Sequence, residues 1–108
     1  MSDYIEVEPG SIILDVKGHH SIVISRYSDF ILCYQWIKEE GEFYKLTPER
    51  WDEFKFKWLP DKQDKRTKET LLENAMSEIV FRHELPSGVE EDFVISKIGE
   101  LKRNLYEG

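Results

Sequence analysis

Phe30-Ile31-Leu32-Cys33-Tyr34-Gln35-Trp36 is the stretch that decides the fold. Successive side chains of a strand point to opposite faces of its sheet. One alternating set here is Phe30, Leu32, Tyr34 and Trp36; the other is Ile31, Cys33 and Gln35. Both faces are apolar enough to bury, which marks a central strand. Nine of the 14 aromatic residues lie between Phe30 and Trp58. Large rings supply much of a small domain's burial, so this region is expected to hold the folding centre and part of the working surface.

Upstream, Ser11–Val16 alternates with Ile12, Leu14 and Val16 on one face, and Ser21–Ser25 is β-branched. Lys17-Gly18-His19-His20 separates them, so the pair reads as a hairpin. Downstream, Glu39-Glu40-Gly41-Glu42 reads as a turn into Phe43-Tyr44-Lys45-Leu46. Thr47-Pro48 is a helix start, with a hydroxyl for an orphan amide and a ring preset for the first helical position. That helix must be short, because Phe54-Lys55-Phe56-Lys57-Trp58 alternates like a strand with its lysines outward and Pro60 behind it.

Asp61–Arg66 is charged and reads as an exposed connector. Beyond it the period changes to that of helices. Leu72, Ala75, Met76, Ile79, Val80 and His83 form one stripe, with Thr67 or Thr70 as cap. Pro86-Ser87-Gly88 is the stop, Ser87 with Glu90 offers a second capping box, and Val94, Ile98, Leu101 and Leu105 form the next stripe. Gly99, off that stripe, could mark a break. The expected architecture is a single α+β domain over residues 1–108: a small antiparallel sheet of about five strands over 1–60, curled in the SH3 manner, then a helical hairpin over 67–106 that covers the aromatic sheet.

Net charge is −7, from 22 acidic and 15 basic side chains, and it is spread evenly along the chain. Phosphate backbones are repelled by such a balance unless a basic patch overrides it; a basic protein surface is attracted. Met1–Glu6 carries neither the basic start nor the apolar run of a secretion signal, and no apolar stretch nears the ~20 residues of a membrane span. A single cysteine, Cys33, offers no internal disulfide or thiolate cluster, and its apolar neighbours suggest burial and slow modification. A cytoplasmic protein is expected.

Signatures of chemistry are sparse. No glycine-rich phosphate loop or nucleophile elbow occurs. His19-His20 in a turn lacks spaced co-ligands for a metal, and His83 sits near a helix end without a designated partner. Glu90-Glu91-Asp92 is explained by the helix dipole. No cofactor, metal or catalytic residue is therefore expected. The leading expectation is a non-enzymatic binder of another protein with a basic surface, which it occludes or inhibits; by size and charge alone the analogy is to toxin-neutralising or phage-type inhibitors. Its expected surface is Phe43, Tyr44, Trp51 and Trp58, with Glu39, Glu40 and Glu42 as the acidic rim. The alternative is a small nucleic-acid or nucleotide-binding barrel using the same rings with Lys55, Lys57 and Lys62. A small enzyme using His19, His20 or His83 comes third.

Overall fold

A computed structural model describes residues 3–59 and 65–107. After a 3-10 turn (Asp3–Glu6) come β1 (Ile12–Leu14), β2 (His20–Arg26), β3 (Ile31–Ile37) and β4 (Glu40–Leu46). Then follow α1 (Pro48–Glu53), β5 (Lys57–Trp58), α2 (Lys65–Arg82) and α3 (Glu91–Glu107). The strands form one antiparallel sheet of five in the order β4-β3-β2-β1-β5. It is an α+β domain. The sheet is not closed, and the SH3-like curling is not confirmed. Pro60 and the connector 61–64, including Lys62, lie outside the described residues.

β3 behaves as its composition demands. Ile31, Leu32, Cys33 and Tyr34 are fully buried, two on each face. One face builds a core from Ile12, Ile22, Ile24, Leu32, Tyr34 and Phe43 against Leu72, Ala75 and Ile79 of α2 and Val94, Ile98 and Leu101 of α3. The other gathers Ile13, Val23, Ile31, Cys33 and Leu46 under Tyr4 and Val7 of the N-terminal segment and Trp51 of α1. Burying both faces excludes water from apolar area at about 25 cal/mol per Å², which two thin layers of cover achieve without a disulfide. A bulge between Val23 and Ser25 shifts the alternation by one residue, so that Arg26 stands opposite Ile31 on the second face.

The N-terminal cover is tied down by polar bonds. Arg26 Nη1 donates to the carbonyls of Tyr4 (2.9 Å) and Val7 (2.7 Å), and the Tyr4 hydroxyl donates to the Leu46 carbonyl at 3.1 Å. The Tyr4 ring meets Trp51 edge-on at 5.8 Å.

Several local expectations are corrected. β1 ends at Leu14, so Val16 is exposed, and Ile13 serves the second face. The hairpin turn is Lys38-Glu39, both in the left-handed region (φ 50 and 66), which places Glu40, Gly41 and Glu42 inside β4. This two-residue geometry matches the twist of paired strands and so won over the Gly-containing stretch. Phe54 and Lys55 belong to a turn after α1 and only Lys57 and Trp58 pair with β1, so the lysines do not line one strand face. α2 begins at Lys65, which puts Thr67 and Thr70 inside it rather than at its cap. Its buried stripe is Leu71, Leu72, Ala75, Glu78 and Ile79; Val80 and His83 face outward. Left-handed His83 (φ 55) ends it before Pro86 is reached. α3 starts at Glu91, so Ser87 does not cap it, and Gly99 lies within it without a break. Thr47 does cap α1, its hydroxyl accepting from the Arg50 amide at 3.3 Å.

Candidate functional site

The residues expected to form one surface are dispersed by the pleat. Phe43 is buried on the helix face, and its ring centre lies 4.8 Å from that of Tyr34. Trp51, only 3% exposed, is a core residue between Tyr4 and Phe56. These two rings are corrected from surface to core: α1 is short and lies on the second face, so its inward residue fills that core. Trp58 pairs with Ile13 at the sheet edge and packs half-buried on the second core. None of the three tryptophans packs in the helix-face core. Tyr44 is half-buried; its hydroxyl donates to Ser21 Oγ at 2.6 Å, and burial raises its pKa. Cys33 is fully buried and its thiol is likewise raised by burial.

Glu39, Glu40 and Glu42 do share an exposed region, the end of the β3–β4 hairpin. The rings beside them are not the expected ones. Trp36 is 39% exposed and Phe81 of α2 is 81% exposed. Both line a hollow of about 160 Å³ together with Glu39, Gly41, Glu78 and Arg82. Gly41 stands opposite Trp36 across the ladder. A Cβ there would come within 3.0 Å of Trp36 Cε3 and 2.7 Å of Tyr34 Cζ, so the missing side chain is what lets both rings lie over the strand. Glu40, Glu42 and Glu84 border an adjoining hollow with Lys38. Of the charged residues lining the two hollows, Glu39, Glu40, Glu42, Glu78 and Glu84 are acidic, and only Lys38 and Arg82 are basic. The sequence signal for Trp36 was its place at the end of β3, beside the turn Lys38-Glu39. Phe81 was hidden by the ragged pattern of α2, which puts Leu71, Leu72, Val80 and Phe81 in adjacent pairs around the helix.

On the second face, a hollow of about 360 Å³ lies between the β1–β2 turn, β4 and the end of α1. Tyr44, Phe54 and Phe56 form its apolar part, with Asp15, His19, Glu42 and Arg50 at its polar part. Asp15 Oδ1 accepts the amides of Lys17 and His19, each at 2.9 Å, and Oδ2 lies 3.5 Å from His19 Nδ1. Arg50 Nη1 donates to the Lys45 carbonyl at 3.1 Å. His20 is exposed on β2, and His83 Nδ1 lies 3.0 Å from Glu91, joining the ends of α2 and α3. A further hollow, of about 520 Å³ beside β5, is bordered by Leu59 and Lys65, which flank the residues outside the description.

Among the described residues no group of three or more His, Cys, Asp or Glu side chains could hold a metal ion, and no helix is long and apolar enough to cross a membrane. No protein-family model, curated protein or solved structure matches the chain, so its surface chemistry is what a functional reading must rest on.

Proposed function

We propose that this protein acts without catalysis, by binding and occluding a basic surface of another protein through the end of the β3–β4 hairpin and the adjoining side of α2. The observation that carries the reading is the pair Trp36 and Phe81, exposed around one hollow with Glu39 in its lining and Glu40 and Glu42 on the other face of the same hairpin end. Exposed rings of this kind are what protein interfaces use as anchors. A surrounding excess of carboxylates speeds encounter with cations and sets orientation. The acidic rim is the one inferred from Glu39, Glu40 and Glu42; Trp36 and Phe81 take the place of Trp51 and Trp58 as anchors.

The test is affinity capture from the cells that make the protein, with wild type, Phe81→Ser and the pair Glu39→Lys/Glu40→Lys as baits. A partner is expected on wild type, eluted by salt, and lost from both variants while their thermal midpoints stay close to wild type. Equal retention by all three baits, or none by wild type, ends the proposal.

A second reading, a histidine enzyme, is favoured by one contact, that of His19 with Asp15 beside the 360 Å³ hollow. A general base needs a reacting group within reach. The described lining holds no Ser, Thr or Cys, and Tyr44 keeps its proton because burial disfavours the phenolate. The interface reading therefore stands first.

A further inference from the structure

On its other side Trp36 walls a hollow of about 570 Å³, which shares only Trp36, Ile37 and Lys38 with the hollows of the proposed protein interface. The β1–β2 turn supplies Gly18 and His19, β2 supplies His20, the β3–β4 turn supplies Lys38, and α2 supplies Arg66, Thr67 and Thr70. Pairing of Ser21 with Gln35 carries His20 to the level of Trp36. Among the described residues this lining contains no carboxylate, on a chain whose net charge is −7. The carboxylate behind His19, Asp15, is already occupied by two backbone amides and the imidazole.

We infer that this hollow binds a nucleotide, its base stacked on Trp36 and its phosphate held by Lys38 and His20. Three observations converge. The volume falls within the ~300–1,000 Å³ of small-molecule sites. Trp36 is 39% exposed and lines the hollow, and an exposed indole is the platform on which bases stack in the sequence-tolerant mode of single-strand binders. Lys38 and His20 add cationic and N–H donors for phosphate oxygens, and the Thr70 hydroxyl adds another donor in the lining. The residues differ from the Lys55, Lys57 and Lys62 set drawn from the sequence. Lys55 and Lys57 lie away from this hollow, on the turn after α1 and on β5.

Trp36 also reports the event. It is the exposed indole, whereas Trp51 is core and Trp58 is half-buried. Titration of the intact protein with AMP at low salt is expected to quench tryptophan fluorescence saturably. Adenosine and inorganic phosphate should each bind at least roughly tenfold more weakly, since each offers half of the contacts. His20→Ala and Lys38→Asn, the latter suited to the left-handed turn, should weaken AMP by a similar factor. Phe81→Ser, which touches only the protein-binding hollow, should leave AMP binding unchanged, so failure here and failure of the interface reading are distinguishable. A short oligodeoxyadenylate separates the two sources of the chemistry: tighter, steeply salt-dependent binding assigns the site to a strand, and parity with AMP assigns it to free nucleotide. Absence of a saturable change, equal affinity for adenosine and AMP, or indifference to both substitutions overturns the inference.

Discussion

Gly41→Ala is the substitution whose effect the geometry fixes most tightly. Gly41 does not have a positive φ, so alanine fits its backbone and the whole effect is steric. The added Cβ would sit 2.7 Å from Tyr34 Cζ and 3.0 Å from Trp36 Cε3, the first about 1 Å inside ordinary carbon contact. Trp36 can swing outward because it is half-exposed. Tyr34 cannot: it is fully buried and braced by Phe43 at 4.8 Å. Overpacking at such a point costs about 1–3 kcal/mol, from which the better strand propensity of alanine recovers about 0.5 kcal/mol. A net loss of about 1.5 kcal/mol lowers the thermal midpoint of a domain this size by roughly 8 °C. The Tyr34 hydroxyl is the atom nearest the new methyl, and among the described residues it has no hydrogen-bond partner. Tyr34→Phe should therefore be neutral or stabilising by about 1 kcal/mol. In that background Gly41→Ala should cost less than half as much. Chemical denaturation of the four proteins of this cycle gives the coupling directly. A Gly41→Ala midpoint within a few degrees of wild type, or the same cost with and without the Tyr34 hydroxyl, refutes the packing described here.

Trp51→Ala should cost about 3–5 kcal/mol, as for any large core ring, whereas Phe81→Ser should change urea stability by less than about 0.5 kcal/mol; the reverse order would exchange core and surface. Replacing Lys38-Glu39 by Asn-Gly should raise stability by about 1 kcal/mol, because both positions are left-handed; a lower thermal midpoint would show that the turn is of another type. Burial holds the Cys33 thiol above its ordinary 9.0 and the Tyr34 and Tyr44 phenols above 10.0. Above pH 9 the unfolded chain then releases protons that the folded chain retains, so stability should fall by about 1.4 kcal/mol per pH unit for each group engaged. Urea midpoints from pH 8 to 11 read this, with Cys33→Ala removing the first part of the decline; a flat profile would mean these groups are solvated. A thiol reagent should label Cys33 only in denaturant, and labelling of the native protein at the rate of a free thiol would contradict its burial.

Much of the candidate surface was hidden from the sequence for a geometric reason. Phe43 and Tyr44 are neighbours in the chain but lie on opposite faces, so no surface can contain both rings. Trp51 looked exposed because Arg50 and Asp52 flank it, yet a one-turn helix lying on a sheet turns one residue inward whatever its neighbours. His83 marked a helix stop by its backbone angle, a property carried by no composition rule for histidine. The acidic rim was legible because Glu39, Glu40 and Glu42 are adjacent in sequence and sit at a hairpin end, where either pleat direction reaches solvent.

The sequence by itself determined that this chain folds as a strand-rich first part followed by two helices, that Ile31–Tyr34 would be buried on both sides, and that negative charge would surround the hairpin end. Those properties follow from periodicity and composition, which act locally. Tertiary structure alone decided which rings remain outside, because exposure depends on where cover ends. The N-terminal turn and Phe56 cover Trp51, while α2 passes beside Trp36 and leaves it and Phe81 uncovered. Cover is a property of distant segments meeting, and it is written in no single stretch of the chain.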